Sequence, residues 1–145
     1  MTAEMMRRLF LDTLRRDNEL FERYDDTKEG MVTLIADGNN VEGLEVSVIF
    51  KKTNEAMLVY ISSYDLPNLA EYWVDGALAC NHLNREELVT YQIDEDGDVC
   101  ASATVLYTSC GVEAEFSPEQ ILAYANELAL SVDQSYPILQ SVKER

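Results

Sequence analysis

Few side chains in this sequence have the types and spacings that catalysis requires. His82 is the single histidine, and no serine or cysteine stands at a spacing from it that suggests a nucleophile paired with its base. His82 and Cys80 lie in the same predicted helix, residues 67–84. Cys80 falls on the apolar side of that helix, where a free cysteine behaves as a small hydrophobic residue. We therefore expect His82 to help end that helix and expect no enzymatic activity. An enzyme would require that folding gather distant carboxylates in one pocket.

An acidic run from Asp94 to Asp98 is the other group whose chemistry could matter, because alternating carboxylates open calcium-binding loops. Such a loop needs glycine at its sixth position and glutamate at its twelfth, and counting from Asp94 these positions hold Val99 and Val105. Zinc-ligand spacings and glycine-rich phosphate loops are absent from the sequence as well. The run therefore predicts an acidic hairpin turn, with no metal and no cofactor. A calcium or small-ligand sensor remains an alternative.

The charge of the chain bears on its partners. The sequence has 27 Asp and Glu against 11 Lys and Arg, for a formal net charge of -16. Residues 1–24 are neutral, so residues 25–145 carry all of the net negative charge. Because like charges repel phosphate groups, we expect no binding to nucleic acid or to an anionic membrane, and basic protein segments are the favoured ligands. A decoy that mimics nucleic acid is an alternative, and so is acidity that only keeps the protein soluble.

Cysteine usage and the N-terminal residues bear on the cellular compartment. Cys80, Cys100 and Cys110 are odd in number and form no CxxC pair, which favours a reducing cytoplasm over a disulfide framework. The first residues lack the basic and then apolar pattern of a signal peptide. The longest uncharged run, residues 99–112, falls short of the roughly 18 apolar residues that a membrane span needs. We expect a cytoplasmic protein.

Hydrophobic spacing divides the chain into elements in the order α-β-β-β-α-β-β-α. This order predicts a single α+β domain over residues 1–145, in which an antiparallel sheet is covered by helices. The first three strands follow one another through tight turns and should form a meander. The predicted helices cover residues 3–24, 67–84 and 118–137, and the predicted strands cover residues 31–36, 44–51, 56–63, 87–94 and 98–109.

Proline marks the start of two predicted helices, because a first helical turn needs no N–H from that residue. Pro67 can open the second helix. Ser117 can cap the third helix before Pro118, and Gln120 can complete a capping box. Pro137 lies inside the same apolar pattern and is expected to kink or end the third helix, with a further turn or bent continuation beyond it.

Large side chains with a polar tip are frequent in this sequence, with eight tyrosines against four phenylalanines. Such residues are enriched in partly wet protein interfaces. They also line the edge of a core with their hydroxyl groups in water, and this alternative stays open. The residues that we predict for a partner or dimer surface are Tyr60, Tyr72, Trp73 and Tyr107.

Three short segments resemble those of a known family. Residues 78–84 resemble an asparagine-containing helix end, residues 89–99 resemble the strand, acidic turn and strand that follow it, and residues 116–121 with 133–139 resemble a closing helix and its tail. Together they resemble the YbjN family of bacterial proteins, often labelled sensory-transduction regulators. The fold of that family is similar to the fold of type III secretion chaperones.

The resemblance implies a sandwich of helices on an antiparallel sheet, commonly a homodimer, with no enzymatic activity and no cofactor. It also implies binding to other proteins, since type III secretion chaperones hold an extended segment of a secreted protein. We therefore expect a cytoplasmic, chaperone-like adaptor or regulator of the YbjN type, which binds a basic or extended protein segment. A dedicated type III secretion chaperone is an alternative.

Overall fold

The computed structural model describes residues 1–109 and 112–144, so that Cys110 lies outside the described residues. A short 3₁₀ turn, Ala70–Tyr72, precedes the second helix. The described helices are α1 (Ala3–Asp17), α2 (Trp73–Glu86) and α3 (Pro118–Val142), and the described strands are β1 (Arg23–Asp25), β2 (Met31–Ala36), β3 (Leu44–Lys52), β4 (Ala56–Ser63), β5 (Thr90–Ile93), β6 (Val99–Ser109) and β7 (Val112–Glu113).

The described strands form one antiparallel sheet in the order β1-β2-β3-β4-β6-β5, and β7 pairs with the end of β6. Strands β2, β3 and β4 are the predicted meander, with neighbours in sequence paired side by side. Strands β5 and β6 form the predicted acidic hairpin. The structure therefore confirms the α+β class with an antiparallel sheet.

Helices α1 and α3 pack on one face of this sheet. Alternate strand residues such as Val48, Val59 and Ile61 point to that face and are fully buried, as the period of two in a strand requires. Ala101 of β6 is buried on the same face and leaves α3 room for close packing. In the described part of the chain, no helix packs across the opposite face.

None of the described helices is long and apolar enough to cross a bilayer.

The first helix is shorter than predicted, since α1 ends at Asp17 and not at residue 24. Asn18 ends it: its side-chain Nδ2 donates to the carbonyl of Phe21 at 2.7 Å, and its Oδ1 accepts the N–H of Phe21 at 2.9 Å. These bonds turn the chain, so that Arg23–Asp25 pairs with β2 as an edge strand. Phe21 is buried, but it reaches the core from a loop, which the helical spacing of the sequence did not reveal.

The second helix begins later than predicted, because Pro67 does not open it. The side chain of Asn68 accepts the N–H of Ala70 at 3.0 Å, at the start of the 3₁₀ turn. The α-helix starts after that turn, at Trp73.

The third helix begins as predicted but ends later. The Ser117 hydroxyl accepts the N–H of Gln120 at 3.2 Å, which makes Ser117 the N-cap before Pro118. Of the two outcomes expected at Pro137, an end to the helix is wrong, because α3 continues beyond it to Val142. Pro137 lacks the N–H that would bind the carbonyl of Asp133, four residues earlier. The side chain of Asn40 donates to that carbonyl instead.

Candidate functional site

The acidic turn between β5 and β6 is held against the segment that leads into α2. The Asp94 carboxylate accepts the N–H groups of Asp96 at 2.9 Å and of Asp98 at 3.0 Å. Asn68 donates to the carbonyl of Asp96 and to the carboxylate of Asp98, both at 2.9 Å. Trp73 donates from its indole N–H to the carbonyl of Asp94 at 2.9 Å. These contacts are those of a structural hairpin.

No group of three His, Cys, Asp or Glu side chains that could hold a metal ion occurs among residues 1–109 and 112–144.

His82 and Cys80 lie on different sides of α2. His82 is exposed, and its Nε2 lies 3.5 Å from the carboxylate of Glu86. Cys80 is buried in the core, and burial raises the pKa of its thiol. A protonated buried thiol is a poor nucleophile, so this pair offers no activated nucleophile.

The four aromatic residues predicted for a partner surface lie in different environments. Tyr107 is only 4% exposed, its ring packs edge-on against Phe116 with centroids 4.9 Å apart, and burial raises its pKa to about 12. Tyr72 is half-buried beside α2, and Trp73 is 45% exposed. Tyr60 lies on the sheet face opposite α1 and α3, over which no described helix packs. The structure therefore places Tyr107 in the core, and the partner role of the four residues stays a prediction.

The uncovered sheet face brings together apolar side chains from three strands. The register pairs Ile49 with Tyr60 and Leu58 with Leu106. Leu106 is 53% exposed, and the other three are half-buried. Lys51 places its ammonium group 5.9 Å from the centre of the Tyr60 ring. We call these five residues the open face. An exposed apolar patch marks a protein-binding surface when it is large and contiguous.

A cleft of about 490 Å³ adjoins the open face and extends to α2. Its walls include Tyr60, Cys100 and Asn81, and the acidic turn contributes Asp94 and Asp98. The Tyr60 hydroxyl and the Cys100 sulfur are 3.9 Å apart, and burial raises the pKa of Tyr60. No histidine, lysine or arginine lines the cleft within the described residues. The cleft therefore offers hydrogen-bonding groups and negative charge but no evident acid–base pair.

The outward side of α2 is a second apolar surface, of which the sequence predicted only Trp73. Val74 is 69% exposed and Leu78 is 60% exposed, one helical turn apart, with Trp73 beside them. The available signal was the spacing of Val74 and Leu78, since apolar residues four apart lie on the same side of a helix.

The outer edge of β5 is closed by a side chain of α2. Asn84 donates to the carbonyl of Tyr91 at 3.0 Å and accepts its N–H at 2.6 Å. A carboxamide thus takes the place of a neighbouring strand, which protects this edge from pairing with another chain. The opposite edge of the sheet is the short, exposed strand β1.

No family model matches the sequence, and no curated protein matches it. Among solved structures, the chain is similar to the crystal structure of YbjN from E. coli, which is described as a candidate transcription regulator. The two chains share 13% sequence identity with a TM-score of 0.49, over 90% of this chain and 89% of the other. This solved structure bears the name of the family that the sequence segments resemble. The likeness concerns the fold alone.

Proposed function

We propose that this protein is a non-enzymatic protein-binding module, a cytoplasmic chaperone-like adaptor or regulator. The observation that carries the proposal is the open face, where Ile49, Leu58, Tyr60 and Leu106 lie together with no helix over them in the described chain. An extended segment of a partner protein is the occupant that we assign to this face. Contact with the apolar side chains of the partner segment would remove the open face from water.

The charge of the protein selects the chemistry of the partner. A net charge of -16 attracts basic segments and repels acidic ones, and the attraction weakens as salt screens it. The acidic turn borders the cleft beside the open face. We therefore propose a basic or extended partner segment, held by apolar contacts and steered by charge.

The absence of enzymatic activity is part of the proposal and is supported by the chemistry of the cleft. Its described walls supply hydroxyl, thiol, carboxamide and carboxylate groups. General acid–base catalysis usually employs a group whose pKa lies near neutrality, most often histidine. His82, the single histidine, pairs with Glu86 on the exposed side of α2.

A homodimer is the second part of the proposal, with the outward side of α2 as the contact between copies. Val74 and Leu78 are exposed there, and a dimer through α2 would leave the open face free for the partner. Light scattering after size-exclusion chromatography should give twice the mass of the chain. Leu78→Lys should give a monomer, and a wild-type monomer at high protein concentration would contradict the dimer.

Capture from host extract with matched variants tests the binding function. Leu106→Lys places a charge on the open face, and Leu130→Lys places the same charge on α3, where Leu130 is 45% exposed. We expect the wild-type protein and Leu130→Lys to retain the same partner, Leu106→Lys to lose it, and added salt to weaken it. Repeated capture of nothing, or equal capture by all three proteins, would refute the proposal.

The alternatives predict other outcomes of these measurements. A dedicated type III secretion chaperone should capture a secreted protein, whereas a nucleic-acid mimic should capture DNA-binding proteins in a salt-sensitive manner. A calcium sensor should release or absorb heat when titrated with millimolar calcium, and a flat titration would exclude it.

A further inference from the structure

Strand β6 is longer than the strands that pair with its outer side. On the side away from β4, β5 pairs with Val99–Ser102 and β7 pairs with Thr108–Ser109. Between these two ladders, no described strand pairs with Ala103–Leu106 on that side. The chain before β5 bends at Leu88 and Val89 and leaves the edge there. We call Ala103–Leu106 the notch.

Alternate residues in the notch direct their backbone polar groups away from β4. The N–H and carbonyl of Tyr91 bind Asn84, so they face away from β6, and Tyr91 and its partner Ala101 do not bind each other's backbone. Directions alternate along an antiparallel strand. Ser102 therefore directs its N–H and carbonyl to β5, and Thr104, two residues further on, directs its own to the same side. There they meet no described strand.

Apolar side chains lie on both sides of this edge. Leu106 of the open face is 53% exposed, and Leu88 is 78% exposed. Leu88 and Tyr124 of α3 line a hollow of about 310 Å³. Leu88 stands two residues before Thr90. Thr90 pairs with Ser102, the residue that immediately precedes the notch. A strand added here would direct alternate side chains toward Leu106 and toward this hollow.

The segments that flank the notch are acidic. Residues 85–90 and 112–115 contain one basic residue, Arg85, and four acidic residues, Glu86, Glu87, Glu113 and Glu115. Glu127 lines the hollow with Leu88. A basic strand therefore suits this edge better than an acidic one.

We propose that a basic, extended segment of the partner adds a strand to β6 at the notch by pairing with the backbone of Thr104. This inference rests on the proposed function and names how the partner is held. Main-chain hydrogen bonds supply the attachment, and alternate side chains supply the preference for sequence, as in other cases of strand addition. Four residues of added strand span about 14 Å at roughly 3.4 Å per residue.

A capped peptide of alternating lysine and valine is the probe that tests this pairing. Two N-methylated versions, each blocking one alternate set of amides, keep the side chains and charge but remove different backbone donors. Only one set faces β6 in an added strand, so one version should bind about tenfold more weakly than the parent, and the other should bind like the parent. Equal binding of both versions would overturn the inference.

Variants of Thr104 test the same pairing from the protein side. Thr104→Pro removes the N–H that faces the notch and leaves the ladder with β4 intact, whereas Thr104→Val keeps the backbone and removes only the hydroxyl. We expect Thr104→Pro to weaken the peptide about tenfold and Thr104→Val to leave it unchanged. If Thr104→Pro does not fold, protection of the Thr104 amide from hydrogen exchange on peptide binding decides instead.

The outcomes separate this inference from the proposed function. If the host partner depends on Leu106 but is insensitive to Thr104→Pro and to the N-methylated peptides, the notch is wrong and the open face stands. If neither the peptide nor a host protein binds, both are wrong. A dimer that Thr104→Pro converts to monomer would assign the notch to a second copy and overturn the basic-segment proposal.

Discussion

The side-chain amide of Asn40 donates to the backbone carbonyl of Asp133 at 3.0 Å. A helical N–H would bind this carbonyl if residue 137 were not proline. The Asp133 carboxylate in turn accepts the N–H groups of Asn39, Asn40 and Val41 at 2.8 to 2.9 Å. A single residue of α3 thus anchors the loop between β2 and β3 with its side chain and with its backbone. This is how α3 accommodates Pro137 in its interior.

The first prediction is a coupling between Asn40 and Pro137. Asn40→Ala should cost about 1 kcal/mol in the wild-type protein, because the carbonyl of Asp133 loses its partner. In a Pro137→Ala background the new N–H can bind that carbonyl, so Asn40→Ala should cost about half as much or less. A double-mutant cycle by urea unfolding measures the difference. Additive costs would show that the two residues do not share this carbonyl.

The second prediction concerns Asp133 and acid. Burial raises the pKa of Asp133, but the three backbone N–H groups together outweigh it and hold the pKa below its ordinary value of 3.8. The unfolded state therefore binds the proton first as pH falls. The stability that the ionised Asp133 carboxylate contributes is complete above about pH 4, and it is lost as pH falls through the pKa of Asp133 in the folded protein. Asp133→Asn should cost about 2 kcal/mol in the free energy of unfolding at pH 7 and less at pH 3.

Urea unfolding at both pH values checks this, with Asp12→Asn as the control, since Asp12 is exposed on α1. A cost for Asp133→Asn that is equal at the two pH values would contradict the role of its charge.

The third prediction compares two glycines with similar backbone angles. Gly97 in the acidic turn has φ of +84°, and a Cβ there would overlap the backbone of Ala70. Gly43 has φ of +66°, and apart from its two chain neighbours no described residue lies within 4 Å of a Cβ placed on it. Gly43→Ala should cost about 1 kcal/mol for the left-handed conformation alone. Gly97→Ala should cost at least about 2 kcal/mol more, because the turn must separate from the segment before α2.

Thermal and urea unfolding of both glycine variants provide the test. Equal costs would mean that the contact between the turn and Ala70 does not constrain the fold.

The fourth prediction concerns the buried hydroxyl of Tyr91. It lies 2.6 Å from the Ser131 hydroxyl and 2.9 Å from the Ser135 hydroxyl of α3. Tyr91→Phe should cost about 1 to 2 kcal/mol in the free energy of unfolding, because two buried serines lose this partner. Tyr136→Phe, at a half-buried tyrosine, is the control and should cost less.

The same hydroxyl also predicts a dependence on alkaline pH. Burial raises the pKa of Tyr91 above its ordinary value of 10.0, so the folded protein keeps a proton that the unfolded chain releases. Stability should therefore fall as pH rises above about 10. Tyr91→Phe should reduce this decline, and an unchanged pH profile in the variant would refute the assignment.

Local signals predicted the elements whose partners are close in sequence. Ser117 and Pro118 mark the start of α3 because a cap acts within one turn. The alternation of apolar and polar residues predicted the meander, since each of its strands pairs with a neighbour in sequence. The end of α1 was missed because Phe21 continues the helical spacing while Asn18 turns the chain. Tyr107 and Trp73 are similar in type, and only packing places one in the core and leaves the other exposed.

The sequence by itself determined the order of helices and strands, the antiparallel α+β class and the acidic character of the surface. Each of these follows from residue types and from spacings within a few positions. The tertiary structure alone decided which sheet face the described helices leave uncovered, where β6 lacks a neighbour among the described strands, and how Asp133 anchors a loop 93 residues away in the chain. Such relationships depend on how distant segments pack together, and no local pattern of hydrophobic residues encodes that arrangement.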